Sequence, residues 1–333
     1  MQPLLLVSSY LLERYGTRIE AVLRDAPRRL DILPFAFDMP LTAGQINRIE
    51  AAFYSYEIWA GTVKTHLSPQ SAVFWPIVDS APHLRWVQVF SAGSDQQRYQ
   101  HVLSRGVRLT TSAGVNAGPV ALTAFTGLLA IARGFPQWLS AQRRHAWLPL
   151  QGKEMPRDMR GQTAIIFGTG PIGSAIARHL HSLGVCTWGV RRSGRPAEHF
   201  DKTLPLCALD DALPSADWLV LAGPLTPETR GLIDARRFAL LPRGAGFVNV
   251  SRGEIVDEVA LIDALRSGHL RGAYLDVFAT EPLPSASRFW DLPNVLMSPH
   301  NAAASDGYIE RGVALFLRNL ARYLAGGSLV NES

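Results

Sequence analysis

Short apolar runs alternate with amphipathic or small-residue stretches along most of this 333-residue chain, a rhythm that predicts strands and helices in turn. Over residues 1–116 the strands are Leu4–Val7, Trp86–Phe90 and Val107–Thr111, with a helix around Arg18–Leu23. That pattern predicts a small α/β domain with an open parallel sheet. Further strands are read at Gln162–Phe167, Val185–Val190, Asp217–Ala222, Gly246–Val250, Gly272–Asp276 and Val295–Ser298, with helices at Ser174–Leu180 and Asp257–Ser267. From Pro119 to Phe135 the chain is nearly all apolar or small, with no charge before Arg133. This predicts a helix buried on most sides that joins two domains. Residues Arg143–Arg160 are different, with Pro149, Gly152 and Pro156 among charges. They read as an extended arm packed on a partner subunit or domain, since Trp147, Leu148 and Leu150 would otherwise be exposed.

Composition narrows the class. Hydrophobic residues make up 47% of the chain, enough for a large core, and the length suggests two domains. The first residues, Met1 to Ser8, lack a basic region and a cleavage site, so they read as a first strand and not a signal peptide. No stretch is long and apolar enough to cross a bilayer, which predicts a soluble, cytoplasmic protein with no membrane partner. Cys186 and Cys207 are too few for a disulfide framework, lack metal-ligand spacing and read as core or near-core thiols; no metal is expected. The formal charge of +5 is spread along the chain, which gives little reason to propose nucleic acid and suits a small anionic ligand equally well.

The first candidate chemistry is Gly168-Thr169-Gly170-Pro171-Ile172-Gly173, set between a predicted strand and a predicted helix. The first glycine permits a tight turn, the second lets the backbone approach a pyrophosphate, and the third lets helix and strand pack closely. The free amides at the helix start face the anion. After the next strand, where an NAD site usually carries an acidic residue, this chain has Arg191-Arg192-Ser193. Two guanidinium groups and a hydroxyl suit a 2′-phosphate, which favours NADP over NAD. Two loops of the first domain, Ser91-Ala92-Gly93-Ser94-Asp95 and Ser112-Ala113-Gly114-Val115-Asn116, also follow strands; each reads equally as a ligand-facing loop or a plain turn.

In a parallel sheet the loops after strands emerge at one edge. Arg252, Glu281 and His300, far apart in sequence, should therefore converge beside the cofactor crevice. A guanidinium can hold a carboxylate bidentately and polarise a carbonyl, an imidazole can pass a proton near neutral pH, and a carboxylate beside the imidazole orients its ring. Reduction of a keto carbon by hydride needs these functions. A hydrolase reading lacks a G-x-S-x-G elbow and a serine partner for His300.

The glycine turn, Asn249-Val250-Ser251-Arg252-Gly253, Leu275-Asp276-Val277-Phe278 with Glu281-Pro282-Leu283, and Ser298-Pro299-His300 together resemble the D-isomer-specific 2-hydroxyacid dehydrogenase family. The resemblance implies two Rossmann- or flavodoxin-like parallel-sheet domains, the cofactor domain (117–301) inserted in a split substrate or lid domain (1–116 and 302–333). A closing helix with Ile309, Val313, Phe316, Leu320 and Leu324 on one face fits this. It implies Arg252 as the binder of substrate carboxylate and carbonyl, His300 as acid/base, Glu281 as its support, Asp276 near the nicotinamide amide, and Ser91, Ala92 and Gly93 as a substrate loop. Pro224, Thr229 and Val250, at ends of the cofactor-domain strands, are expected to contact cofactor. Dimerisation through the cofactor domain is also implied. Leu122 stands where many relatives carry Glu. The arginine pair is closer to NADP-preferring glyoxylate and hydroxypyruvate reductases than to NAD-linked phosphoglycerate enzymes, and no regulatory domain follows Ser333, which disfavours feedback-controlled serine biosynthesis. The expected activity is NADP(H)-dependent reduction of a small 2-keto acid, with NAD(H) as a possible second cofactor. The alternative is a dinucleotide-sensing, corepressor-like scaffold without turnover.

Overall fold

Five strands near the N-terminus, β1 (Leu4–Ser8), β2 (Asp31–Phe35), β3 (Ile49–Tyr54), β4 (Trp86–Val89) and β5 (Arg108–Thr110), form a parallel sheet ordered β2-β1-β3-β4-β5. The computed structural model describes residues 2–62, 66–152 and 155–333. Two of these strands are not marked by the apolar pattern. β2 contains Pro34, which an edge strand tolerates because a missing N–H there breaks no central ladder. β3 is the middle strand and is buried at all six positions, yet it reads Ile49-Glu50-Ala51-Ala52-Phe53-Tyr54, with an acid and two alanines. Tertiary partners settle it. Glu50 sits 2.6 Å from Arg28 Nη2 and accepts the Tyr323 hydroxyl at 2.7 Å, so the buried carboxylate is both paired and hydrogen-bonded.

Tyr323 belongs to the C-terminal helix Tyr308–Leu324, which packs on this first sheet. Its Phe316 stacks on Phe53 at 4.2 Å, and Val313, Leu320 and Leu324 join the same cluster. The chain accordingly divides into Met1–Asn116 with Ser305–Ser333, and Ala117–Ala304.

The second unit holds β6 (Thr163–Phe167), β7 (Cys186–Arg191), β8 (Lys202–Pro205), β9 (Trp218–Leu221), β10 (Ala245–Asn249), β11 (Leu270–Leu275) and β12 (Val295–Met297), all parallel, in the order β12-β11-β10-β9-β6-β7-β8. The chain steps outward from β6 to β8, then crosses back to β9 on the other side of β6. That reversal opens a crevice at the carboxyl ends of β6 and β9. One face of the sheet is covered by the helices Ala117–Ala132 and Pro171–His181, through Ala121, Ala124, Leu128, Ile176 and Leu180. The other carries Phe238, Leu261 and Leu265 against Phe247 and Leu219.

The first of those helices departs from the sequence reading. It ends at Ala132, Gly134 takes φ 77°, and a second helix, Phe135–Arg143, leaves at 72°. The first helix is otherwise buried or half-buried on most sides, as expected, with one exposed stripe formed by Gly118, Leu122 and Thr126, spaced by four. No single described helix is long and apolar enough to cross a membrane. Cys186 is half-buried, whereas Cys207 is exposed in the turn after β8 and is no core thiol. In the arm, Trp147 is 96% exposed, while Leu150 turns back on Gly134.

Gly127 shows how tightly the long helix meets the sheet. A Cβ there would lie 2.3 Å from Cγ of Tyr274 on β11. Gly127→Ala is expected to destabilise the protein by about 1–3 kcal/mol in chemical denaturation, through overpacking. Gly118→Ala, with nothing within 4 Å of its Cβ, is expected to be neutral or to stabilise by up to about 1 kcal/mol. Equal midpoints for the two variants would contradict the packing.

Candidate active site

At the carboxyl end of β6 the glycine turn enters the helix Pro171–His181, with Pro171 at its first position, where no N–H is missed. Each glycine has a separate reason. Gly168 has φ 98° and touches Gly223, so a side chain would meet the Gly223 backbone at 2.4 Å. Gly173 approaches Gly168 so closely that a Cβ would fall 1.9 Å from its carbonyl oxygen. A Cβ on Gly170, by contrast, would meet nothing within 4 Å. Packing therefore does not demand the middle glycine; the open space beside it, at the amide-rich start of an uncapped helix, fits a pyrophosphate.

Around this cradle, Arg191 ends β7, and Arg192 and Ser193 follow it on the surface. The loop after β9 is closed on itself: the Thr229 hydroxyl donates to the Pro224 carbonyl at 2.9 Å and accepts from the Thr226 amide at 2.7 Å. Thr229 is 5% exposed, so its hydroxyl shapes the loop from inside. Val250 is buried behind the next strand end, its amide bonded to the Leu221 carbonyl at 3.1 Å.

Arg252, Glu281 and His300 follow β10, β11 and β12, three adjacent strands, and so leave the sheet at neighbouring points of one edge. His300 Nδ1 lies 2.8 Å from Glu281 Oε2. The Glu281 side chain is largely covered and that of His300 half-exposed. Glu281 is fixed from its other oxygen as well, which accepts the Phe278 amide at 2.9 Å. Arg252 begins a turn whose Gly253 abuts Phe278; a Cβ on Gly253 would lie 2.0 Å from the Phe278 carbonyl carbon. The Arg252 and Glu281 loops are thus locked together by a contact that only glycine permits. Asn249 braces the same turn, accepting the Ser251 amide at 3.0 Å and donating to the Arg252 carbonyl at 3.1 Å.

His300 itself has φ 52°, a backbone state that non-glycine residues seldom adopt. Asp276 stabilises it. The Asp276 carbonyl accepts the His300 amide at 2.7 Å, and its Oδ1 accepts the amides of Asn301 and Ala302 at 2.8 and 3.0 Å and the Ser298 hydroxyl at 2.6 Å. Ser298 in turn meets the Tyr274 hydroxyl at 2.6 Å, and burial pushes that phenol up to about 12. Asp276 is only 3% exposed, so its observed work is to hold the imidazole's loop. The sequence reading gave no positioning part to Asn249, Gly253, Tyr274 or Ser298. Three of them lie inside quoted motifs, but the Tyr274–Ser298–Asp276 bonds and the Gly253–Phe278 contact join segments far apart in the chain, and the Asn249 bonds within its own turn follow no periodicity.

The other candidate loops lie in the first unit. Ser91 donates from its hydroxyl to the Gly93 carbonyl at 3.2 Å and to Tyr99 at 3.0 Å, and its carbonyl accepts the Ser112 amide at 2.9 Å. The two Gly/Ser loops therefore support one another at the carboxyl ends of β4 and β5. Asn116 is held by Arg311, whose Nη2 donates to its Oδ1 at 2.8 Å.

Residues 125–302 match the family model for the D-isomer specific 2-hydroxyacid dehydrogenase NAD-binding domain. The chain is 34% identical to a glyoxylate reductase of Thermococcus kodakarensis over 264 residues, 77% of this chain and 79% of that one. It resembles the structure of a D-isomer specific 2-hydroxyacid dehydrogenase from Xanthobacter autotrophicus in complex with NADPH and MES, with a TM-score of 0.76 and 29% identity, covering 100% of this chain and 98% of the other. It is also similar to an NADPH-dependent glyoxylate/hydroxypyruvate reductase from Sinorhizobium meliloti in complex with NADP and sulfate, with a TM-score of 0.73 and 28% identity over the same shares. With two parallel-sheet units, a dinucleotide cradle and this similarity, the chain belongs to the D-isomer specific 2-hydroxyacid dehydrogenase family, NAD(P)-dependent oxidoreductases acting on the CH–OH of 2-hydroxy acids.

Proposed function

We propose that the protein reduces a small 2-keto acid, such as glyoxylate or hydroxypyruvate, to the D-2-hydroxy acid with NADPH. The observation that carries this reading is the His300–Glu281 pair at 2.8 Å, at the edge where Arg252 also emerges. Bound reduced nicotinamide supplies a hydride to the keto carbon. Arg252 holds the substrate carboxylate and polarises the carbonyl, with the planar fork that suits both. Because Glu281 takes Nδ1 of His300, Nε2 is the nitrogen left to donate a proton to the carbonyl oxygen. Hydride and proton together convert the ketone to the alcohol, and the ring regains its proton from solvent. Glu281 keeps the ring in that orientation throughout.

Cofactor recognition is assigned to the amides of the 168–173 turn for the pyrophosphate, and to Arg191, Arg192 and Ser193 for the 2′-phosphate. Pro224 and Val250 complete the crevice, Thr229 holds its loop in shape, and Asp276 positions His300 and faces the nicotinamide amide. On the same reading the amides of Ser91, Ala92 and Gly93 bind substrate. The 117–304 unit pairs with a second copy through the exposed Phe135, Trp138, Trp147 and Leu148. No membrane or nucleic acid takes part, and the reaction is a cytoplasmic one. The NADP complexes of similar structures support the choice of cofactor.

Purified protein mixed with NADPH and a panel of 2-keto acids is expected to consume the reduced cofactor, with short substrates preferred. Cofactor binding without turnover on any of them would instead indicate a sensing scaffold. His300→Ala should lower kcat by about 10²–10⁴-fold and leave the NADPH dissociation constant nearly unchanged. Arg191→Ala and Arg192→Ala should each raise the KM for NADPH about tenfold, the loss of one charge-assisted bond, with little effect on NADH. A clear preference of the unaltered protein for NADH would contradict the assignment of the pair.

A further inference from the structure

We infer that Glu228 is a cofactor-selecting residue, a fixed carboxylate that opposes binding of a 2′-phosphate at Arg192. The inference rests on the NADP reading above and deepens it. Arg192 Nη2 lies 4.0 Å from Glu228 Oε2. The guanidinium assigned to the phosphate therefore already faces an anion. Both side chains are mostly exposed, 83% and 64%, so the pair contributes little to stability, and a structural purpose does not explain it.

Glu228 is held in place. The Thr226 hydroxyl donates to Oε2 at 2.7 Å, and Thr226 is itself tied through its amide to Thr229, whose hydroxyl bonds Pro224. The Thr226 hydrogen bond, with Arg192 adding its charge, keeps the carboxyl below the usual carboxylate range. A loop closed on itself thus presents an anionic oxygen toward Arg192.

Two consequences follow for a ligand. A 2′-phosphate that takes the Arg192 guanidinium must displace or share it with Glu228, and its own negative charge then lies close to the carboxylate. A ribose with a free 2′-hydroxyl meets neither penalty. Glu228 thereby weakens NADP binding selectively and narrows the margin by which the arginine pair prefers it. Replacing its charge should widen that margin without touching the 2-keto acid chemistry, since Glu228 lies in the loop after β9 and not in the loops after β10, β11 and β12 that carry Arg252, Glu281 and His300.

The test is Glu228→Gln, which keeps the shape and the bond to Thr226 and removes the charge. Calorimetric titration of the full chain with adenosine 2′,5′-bisphosphate is expected to show about two- to fivefold tighter binding by the variant, the range of an exposed ion pair. Binding of 5′-AMP should change by less than about 1.5-fold, and the gain for the bisphosphate should shrink in about 0.5 M salt through screening. Unchanged bisphosphate affinity, or an equal gain for AMP, would overturn the inference. Arg192→Ala in the same titration separates the two claims. If it weakens the bisphosphate while Glu228→Gln is silent, the NADP assignment stands and the part given to Glu228 falls. If Arg191→Ala and Arg192→Ala are both silent, the assignment of the arginines falls and this inference with it.

Discussion

The site depends on the parallel run of the seven strands β12-β11-β10-β9-β6-β7-β8. Because every strand points the same way, every strand-to-helix loop leaves at the carboxyl edge, and residues as far apart in sequence as Gly168 and His300 share one side of one sheet. An antiparallel sheet of the same sequence elements would send alternate loops to opposite edges and divide the set. The reversal of strand order beside β6 adds the crevice. There Gly168 and Gly223 approach backbone to backbone, a contact no side chain could survive.

Sheet direction brings the residues to one edge, and a second layer of hydrogen bonds aims them. Asp276 is the centre of that layer. A buried carboxylate must be satisfied, and here Oδ1 accepts three donors from the segment that carries His300. That bonding holds the imidazole's backbone at a positive φ that the residue would otherwise avoid. Glu281 then fixes the ring through Nδ1, and the Gly253–Phe278 contact fixes the Arg252 turn against the Glu281 loop. The imidazole, its carboxylate partner and the turn that carries the guanidinium are thus held by packing within the second unit, the preorganisation that the proposed chemistry requires.

Much of this was legible in the sequence, and the parts that were not share a cause. Six of the seven strands of the second unit announce themselves because a parallel strand buried on both faces is a continuous apolar run, as in Trp218-Leu219-Val220-Leu221, whereas the partly exposed edge strand Lys202–Pro205 carries no such run. The glycine turn and the trio were legible because strand ends and turn residues are local signals. β3 was not, since Glu50 and two alanines make a strand only after Arg28 and Tyr323 satisfy the acid from distant parts of the chain. The long helix was misread at its end, where Gly134 redirects the chain among apolar residues that continue the helical pattern. The Tyr274–Ser298–Asp276 bonds and the approach of Glu228 to Arg192 join segments far apart in the chain, which no periodicity records.

The central claim is that a hydride passes to the keto carbon while His300 protonates the oxygen. The most direct measurement is a single turnover of hydroxypyruvate with NADPH deuterated at the transferring position of nicotinamide C4, followed by isotopic and configurational analysis of the glycerate. The account expects one deuterium at C2 and the D configuration. Deuterium absent from C2, or L-glycerate as the product, would contradict it.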